Sequence, residues 1–341
     1  MLPISRRPLG RTRVPLTTLG FGGAPLGDLF EEVPETQAQA TLQAAWDAGV
    51  RYFDTAPYYG NGKSEHRLGH FLRQQRRDDF VLSTKVGRVF RANGPDKAPS
   101  FGRWQGGLPF VFHYDYSRQG ILRSWEDSLQ RLGLDRIDLL LVHDLDSMIN
   151  GRRRAFDAHL NQLITSGQDA LEQLKASGCI GGWGVGINGL GAIPHFLDVL
   201  NPDFFLVASP YTLLDQEVLE LEFPRCQERG AHIVIGAVFA SGILVTGADG
   251  PGRYRYAPPP PQIVEKTRRI EALCQRHDVP LGAAALQFPL GHPLVSAVIP
   301  GALHPEQVQA NSALFHHPIP AALWADLKAA GLLQADAPTP A

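Results

Sequence analysis

Four side chains of different chemical kinds stand at or just beyond the ends of three short apolar runs. Val50 to Phe53 ends in Asp54, and Tyr59 follows in a Gly-rich turn before a helix-like segment opens at Ser64. Phe80 to Thr84 ends in Lys85, and Ile137 to Val142 ends in His143. An acid, a phenol, an amine and an imidazole therefore sit where one set of strand ends would gather them. A phenol is a poor acid–base group at neutral pH, because its ordinary pKa is near ~10. A nearby ammonium favours the phenolate, and a carboxylate beside that ammonium keeps it charged and oriented. Asp54, Lys85 and Tyr59 read as such a relay, with His143 hydrogen-bonding the oxygen of a reacting carbinol or carbonyl. Taken alone, Asp54 and Tyr59 are equally well explained as turn residues. Their recurrence with Lys85 and His143 at successive strand ends favours chemistry. The set suits proton transfer coupled to hydride transfer, and it lacks the nucleophile–base pair of a hydrolase.

Competing chemistries find less in the chain. No GxSxG elbow is present, which argues against acyl transfer by a serine. His316-His317 lies in a Pro-flanked stretch with no acidic partner in sequence, so no metal is expected. No GxGxxG follows the first strand, so the dinucleotide fingerprint of open parallel sheets is missing. Gly20 to Gly23 (GFGG) carries no phosphate-loop lysine and reads as the backbone lining of a substrate pocket. A Schiff base at Lys85 is the serious rival, because barrel aldolases place a lysine at a strand end and a neighbouring Tyr and Asp fit either scheme.

The elements that position these groups alternate along the chain. Strand-like runs are RYFDT, FVLSTK, IDLLLVH, WGVGI, DFFLVA, HIVIGA and VSAVI, with an eighth near Thr17 to Phe21. Between them lie helical spacings such as Ala38-Leu42-Ala45-Trp46, Ile121-Leu122-Trp125-Leu129-Leu132 and Ile270-Leu273-Cys274. Gly49, Gly133, Gly178 and Gly230 mark helix ends. Eight strand–helix units predict an α/β fold, a closed parallel (β/α)8 TIM barrel, over a single domain of residues 1–341. LGRTRVPLTTLG predicts a small N-terminal β-hairpin that plugs the barrel bottom. Three long segments, Arg88 to Tyr116, Asp144 to Asp157 and Ala240 to Gln262, follow strands and should form long loops on the C-terminal face. The four prolines Pro258 to Pro261 read as a stiff spacer.

Composition sets outer bounds. A hydrophobic fraction of 44% over 341 residues suffices for a large core. A formal net charge of -2, with the cations dispersed apart from clusters such as Arg152 to Arg154, argues against nucleic acid or an anionic membrane as partner. Cys179, Cys226 and Cys274 share no metal-ligand spacing and read as reduced thiols. The N-terminal residues lack an apolar leader core, and no run reaches membrane-spanning length. A cytoplasmic protein is expected. The residues give no signal for its oligomeric state.

The motifs now assembled resemble the aldo-keto reductase family. Asp54-Thr55-Ala56 with Tyr59-Gly60, Ser83-Thr84-Lys85 and Leu140-Leu141-Val142-His143 stand in the order and strand context of that family's tetrad. The similarity runs from LGFGGAPLG at Leu19, through RLGLDRIDLLLVHDLD at Arg131, to VIPGALHPEQVQAN at Val298. GFGGAPLGDL, FHYDYSRQGILRSWEDSLQRLGLDRIDLLLVHD and WGVGIN are similar to its D-threo-aldose, L-fucose and L-galactose dehydrogenase branch. The resemblance implies an NAD(P)-dependent oxidation of the C1 hydroxyl of an L-fucose-, L-galactose- or D-arabinose-type aldose to a lactone. Pyridoxal dehydrogenase or general aldehyde reductase is the second reading, and a regulatory subunit of the same fold is a remote third. It also implies a catalytic set of Asp54, Tyr59, Lys85 and His143. Asn188, Gly236, Gly301, Gln307 and Asn311 fall at cofactor-contact positions. Where relatives carry a Ser-Asn pair and a Gln, this chain has Gly186, Asn188 and Ala208. Trp104, His113, Asp115 and Asp144 are candidate contacts for the sugar. Relatives that prefer NADPH grip its extra phosphate with a Lys and an Arg after the last strand. Here Gly301 and Gln307 stand there, and no Lys or Arg occurs from Ile299 to Asn311, so NAD is the expected cofactor with NADP second.

Overall fold

The structure is a computed structural model that describes residues 4–94, 102–145 and 153–340. Strands β1 (Arg6–Pro8) and β2 (Pro15–Thr17) form an antiparallel hairpin. Eight parallel strands follow: β3 (Phe21–Gly22), β4 (Tyr52–Asp54), β5 (Val81–Val86), β8 (Leu139–His143), β9 (Gly182–Ile187), β10 (Phe204–Ala208), β11 (His232–Gly236) and β12 (Val295–Val298). Each pairs with the next in that order. Gly20 N–H donates to the Val298 carbonyl at 2.9 Å, Val298 N–H to Thr18 at 2.9 Å, and Gly22 N–H to Pro300 at 3.1 Å. These bonds join the last strand to the first, so the sheet is the expected closed (β/α)8 barrel. Closure removes the sheet edges that an open sheet must protect.

Parity along the strands explains the interior. Tyr52, Leu139, Leu141, Phe204, Leu206, Val234, Ala297 and Ile299 form one buried cluster inside the barrel. Their neighbours Phe53, Leu140, Val142, Phe205, Val207, Ile233 and Ile235 belong to the larger core beneath the helices. Strands buried on both faces read as continuous apolar runs rather than alternating ones. Leu9 and Leu16 of the hairpin join the interior cluster and are fully buried. The hairpin therefore plugs the barrel bottom, as its sequence predicts.

Two expectations about the loops change. The segment after β5 contains an ordered ribbon, β6 (Arg88–Ala92) paired antiparallel with β7 (Phe110–Tyr114). RVFRA and FVFHY alternate aromatic and β-branched residues, and the cross-strand pair Phe90–Phe112 packs edge-on at 5.9 Å between centroids. Part of the Asp144 to Asp157 segment, with Arg152, lies outside the described residues. The Gly20–Gly23 run does not line the cavity at the strand ends. Gly22 and Gly23 approach neighbouring backbone so closely that a Cβ would lie 2.7 Å from the carbonyl oxygens of Ile299 and Asp54. These glycines permit barrel closure. The proline run ends at the first turn of the helix Pro261–Arg276, where a missing N–H costs nothing.

Candidate active site

The parity that builds the interior also delivers the four predicted groups. Asp54 lies two residues beyond Tyr52 on β4, Lys85 four beyond Val81 on β5, and His143 two beyond Leu141 on β8. All three therefore face inward at the C-terminal end of their strands. Tyr59 comes from the turn after β4. That turn closes with Tyr59 N–H donating to Ala56 at 3.1 Å, and Gly60 follows at φ +64°. Gly27 makes room for it, since a Cβ there would sit 2.4 Å from the Tyr59 carbonyl carbon. Asn61 then ties the turn to the ribbon by donating to Leu108 and Phe110 at 3.2 and 3.1 Å.

Lys85 donates to Asp54 Oδ2 and to the Thr55 carbonyl, both at 2.7 Å, and Ser83 donates to Asp54 Oδ1 at 2.7 Å. Both charges are almost fully buried, with side-chain exposures of 1% and 2%. A lysine nitrogen enclosed this way and engaged with Asp54 and Thr55 is poorly placed to attack a carbonyl, which weighs against the Schiff-base scheme. Lys85 Nζ lies over the face of the Tyr59 ring, 4.6 Å from its centroid. The expected lowering of the phenol pKa by Lys85 is not what this geometry produces. Burial, with the charges of Asp54 and Asp144 behind it, pushes Tyr59 well above its ordinary value against the opposing pull of Arg88. The phenol is thus a proton donor at neutral pH. Burial likewise pushes the His143 imidazole well below its ordinary value despite Asp144, with Arg88 and Lys85 adding to the effect. A neutral imidazole hydrogen-bonds an oxygen without adding a charge. The Tyr59 and His143 rings meet edge-on with centroids 5.9 Å apart.

Above these groups opens a cavity of about 520 Å³. Its lining includes Tyr59, Lys85, His143, Asp144, Trp104 and Asn188 from the predicted set. Arg88, Tyr58, Tyr114, Ser209, Arg103, Arg255 and Tyr256 line it as well, and sequence reasoning missed them. For Arg88 and Tyr114 the signal was the alternation within β6 and β7, hidden because the segment reads as loop. That alternation also corrects two candidates. With Phe112 and Tyr114 packed on Arg88, His113 points outward and is exposed. Asp115 accepts from Ser117 N–H at 3.0 Å beside the start of the helix Arg118–Leu132, and its side chain is spent on that turn. Neither lines the cavity. Of the cofactor candidates other than Asn188, Gly236 ends β11, Gly301 follows β12, and Gln307 and Asn311 lie on the helix Pro305–His316. None of these four lines the cavity.

Gly186 tests the fit of a flat ring. A Cβ built there would stand 3.9 Å from Lys85 Cε and 4.0 Å from His143 Cδ2, so its absence leaves open floor beside both groups. Asn188 and Ser209 flank that floor within the same lining, which suits the nicotinamide end of a dinucleotide.

Comparison with known proteins agrees with this architecture. The aldo/keto reductase family model matches residues 18–331. The chain belongs to the aldo/keto reductase family. It is an oxidoreductase that acts on small molecules, as its cavity and tetrad geometry suit. It is 44% identical over 338 residues to the pyridoxal 4-dehydrogenase of Microbacterium luteolum, covering 96% of this chain and 98% of that one. To the D-threo-aldose 1-dehydrogenase of a Pseudomonas species it is 40% identical over 336 residues, covering 95% and 96%. The holo form of an aldo-keto reductase from Bacillus halodurans superposes with a TM-score of 0.72 at 27% identity, covering 97% of each chain. Among the described residues no helix is long and apolar enough to cross a membrane.

Proposed function

We propose that this protein oxidises the anomeric hydroxyl of a cyclic hemiacetal to a lactone, with a small aldose in its ring form as the first choice of substrate and NAD+ as the preferred acceptor. The carrying observation is the cavity wall. Aromatic rings of Tyr58, Tyr59, Trp104 and Tyr114 offer faces for ring C–H groups, and Arg88, Asp144 and Asn188 offer polar contacts beside His143. In this reading Tyr59, in the phenolate form that gains population as pH rises, takes the hydroxyl proton, and His143 holds the same oxygen in line. Lys85, held by Asp54, keeps its Nζ 4.6 Å from the centroid of the Tyr59 ring and fixes the ring's place in the site. The C–H bond of the anomeric carbon breaks and its C–O bond becomes a carbonyl. A bound nicotinamide cofactor supplies the hydride acceptor. Asn188, Gly236, Gly301 and Asn311 are the residues that would hold it.

The relative that acts on pyridoxal favours a second reading. Pyridoxal closes to a cyclic hemiacetal through its own hydroxymethyl group, so the bond changes are the same and only the ring differs. Incubation with NAD+ and a panel of L-fucose, L-galactose, D-arabinose and pyridoxal, followed by NADH absorbance, separates the two. Turnover of aldoses is expected. Strong turnover of pyridoxal with none of any aldose would replace the first reading by the second, and no turnover of any would favour a non-catalytic role.

A further inference from the structure

Trp104 lines the cavity and is only 4% exposed, although it lies in the connection between β6 and β7 and in no helix or named strand. Its ring meets Tyr58 and Tyr59 with centroids 5.3 and 5.6 Å away. A wall residue on a connecting segment needs something to hold that segment in place. Part of the hold is backbone. Phe30 N–H donates to the Arg103 carbonyl at 2.8 Å, Gln105 N–H to Asp28 at 2.9 Å, and Leu108 N–H to Gly60 at 2.9 Å. Residues 102–108 are thereby laid between the segment after β3 and the turn that carries Tyr59.

The other part is a clasp of side chains. The fully buried Asp28 carboxylate accepts from Arg67 Nη1 at 2.6 Å, from Val33 N–H at 3.1 Å, and from Lys63 Nζ. Lys63 Nζ also donates to the Gly106 carbonyl at 2.9 Å. Gly106 packs so closely there that a Cβ would overlap Asp28 Oδ2. Arg67, 3% exposed, already supplies Asp28 with a buried counter-charge, and its other acidic partner, Glu35, is 59% exposed and solvated. Charge balance at Asp28 therefore does not call for a second cation. Nor does the helix Lys63–Leu72, because Lys63 is its first residue and a cation there opposes the helix dipole. What remains for Lys63 to contribute is the reach from Asp28 to Gly106, two residues beyond Trp104.

We propose that Lys63 is a positioning residue for substrate binding. By bridging Asp28 to the Gly106 carbonyl it holds residues 102–108 against the Tyr59 turn and keeps the Trp104 ring in place as a face for the ring of the substrate. The inference rests on the hemiacetal reading, for an aldose or for pyridoxal alike. It adds to that reading a residue outside the cavity lining that sets the affinity for the substrate.

The test is steady-state kinetics with saturating NAD+ and the hemiacetal of the panel that the wild type turns over best, for the wild type, Lys63→Met, Lys63→Arg, Trp104→Ala and the Lys63→Met, Trp104→Ala double variant. Lys63→Met keeps the bulk of the side chain and removes its donors. It is expected to raise KM on the order of tenfold with kcat within about threefold of wild type, the pattern of a lost contact common to ground and transition states. Lys63→Arg, which restores the charge and the donors, should recover most of that loss. In the Trp104→Ala background Lys63→Met should add little, because both changes act through one ring. Gly106→Ala pushes the segment away from Asp28 with Lys63 intact and should reproduce the rise in KM, so the test stands even if Lys63→Met folds poorly. NAD+ binding, measured by quenching of protein fluorescence, should persist in each variant and shows that it is folded. A wild-type KM in both Lys63→Met and Gly106→Ala would overturn the inference and leave the hemiacetal reading standing. So would a fall in kcat at constant KM, or effects of Lys63→Met and Trp104→Ala that simply multiply, which would mark a structural role. No turnover of any panel member by the wild type would overturn both.

Discussion

Tyr59 carries the sharpest consequence at the level of single residues, because its phenol is held protonated in the site. Burial raises it well above its ordinary value, with Asp54 and Asp144 adding to the effect. A raised pKa means that the phenolate, the form needed to take a proton from an alcohol, gains population only as pH rises. Oxidation should therefore accelerate into the alkaline range, while reduction of the same carbonyl product should be favoured toward neutral pH. Tyr59→Phe should lower kcat by roughly 10²–10⁴-fold and leave cofactor affinity nearly unchanged. A variant that keeps near-wild-type turnover, or a pH–rate profile for oxidation that falls toward alkaline pH, would remove Tyr59 from that role. The positions of Asp54, Lys85 and His143 were legible in the sequence because strand parity is strict and each ends a short apolar run. The direction of the phenol shift was not, because it depends on burial and on two carboxylates from different strands. His113 and Asp115 were misread for a similar reason. Which face of β7 meets Arg88 is settled by its register with β6, and a lone segment does not reveal that register.

Among the elements, the helix Pro305–His316 bears on the cofactor. Its segment has no Lys or Arg to grip an extra phosphate. The structure adds that Gln307 is already engaged. Its Oε1 accepts from Leu303 N–H at 2.7 Å and from His304 N–H at 3.4 Å, and the His304 side chain completes a capping box. These two amides are thus satisfied within the chain, and Glu306 stands exposed beside them. Gln307→Arg should shift the kcat/KM ratio toward NADP+ by about 1–3 kcal/mol through one charge-assisted hydrogen bond. It should also lower stability by about 1 kcal/mol through loss of the cap. Kinetics with both cofactors and a thermal melt together check this. An unchanged ratio with a lowered Tm would show that the side chain serves only the helix end, and a wild-type preference for NADP+ would show that another part of the chain grips the phosphate. The N-terminal hairpin and the eight parallel strands were legible from punctuation by Gly and Pro and from β-branched runs. The β6–β7 ribbon was not, because it packs through tertiary contacts such as that of Phe112 with Tyr58 and shows no short turn signature between its strands.

For the molecule as a whole, the same closure that dries the barrel also buries histidines away from the site, and this links its stability to pH. His292 is 8% exposed, receives the Leu294 N–H on Nδ1 at 3.2 Å, and packs against Tyr211 and Phe223 with centroids 6.0 and 4.9 Å away. A neutral ring accepts that bond, and a protonated one does not. Burial pushes this imidazole from its ordinary value down to about 4. His143 and His232 are lowered too, again chiefly by burial. The unfolded chain therefore binds protons that the folded chain refuses in the window between about 4 and the ordinary value near 6.5. Stability is fully present above that ordinary value and is lost as pH falls through it. For His292 alone the loss from pH 8 to pH 5 comes to about 2 kcal/mol. His143 and His232 act in the same direction. The expected outcome is a Tm that is flat above neutrality and falls steeply between pH 6.5 and pH 5. His292→Gln, which keeps an acceptor and cannot be protonated, should flatten part of that fall even if it lowers the Tm at pH 8 through poorer packing. Thermal melts of both proteins across this range decide the matter. Parallel curves for wild type and variant would show that His292 is not a neutral acceptor in the folded protein.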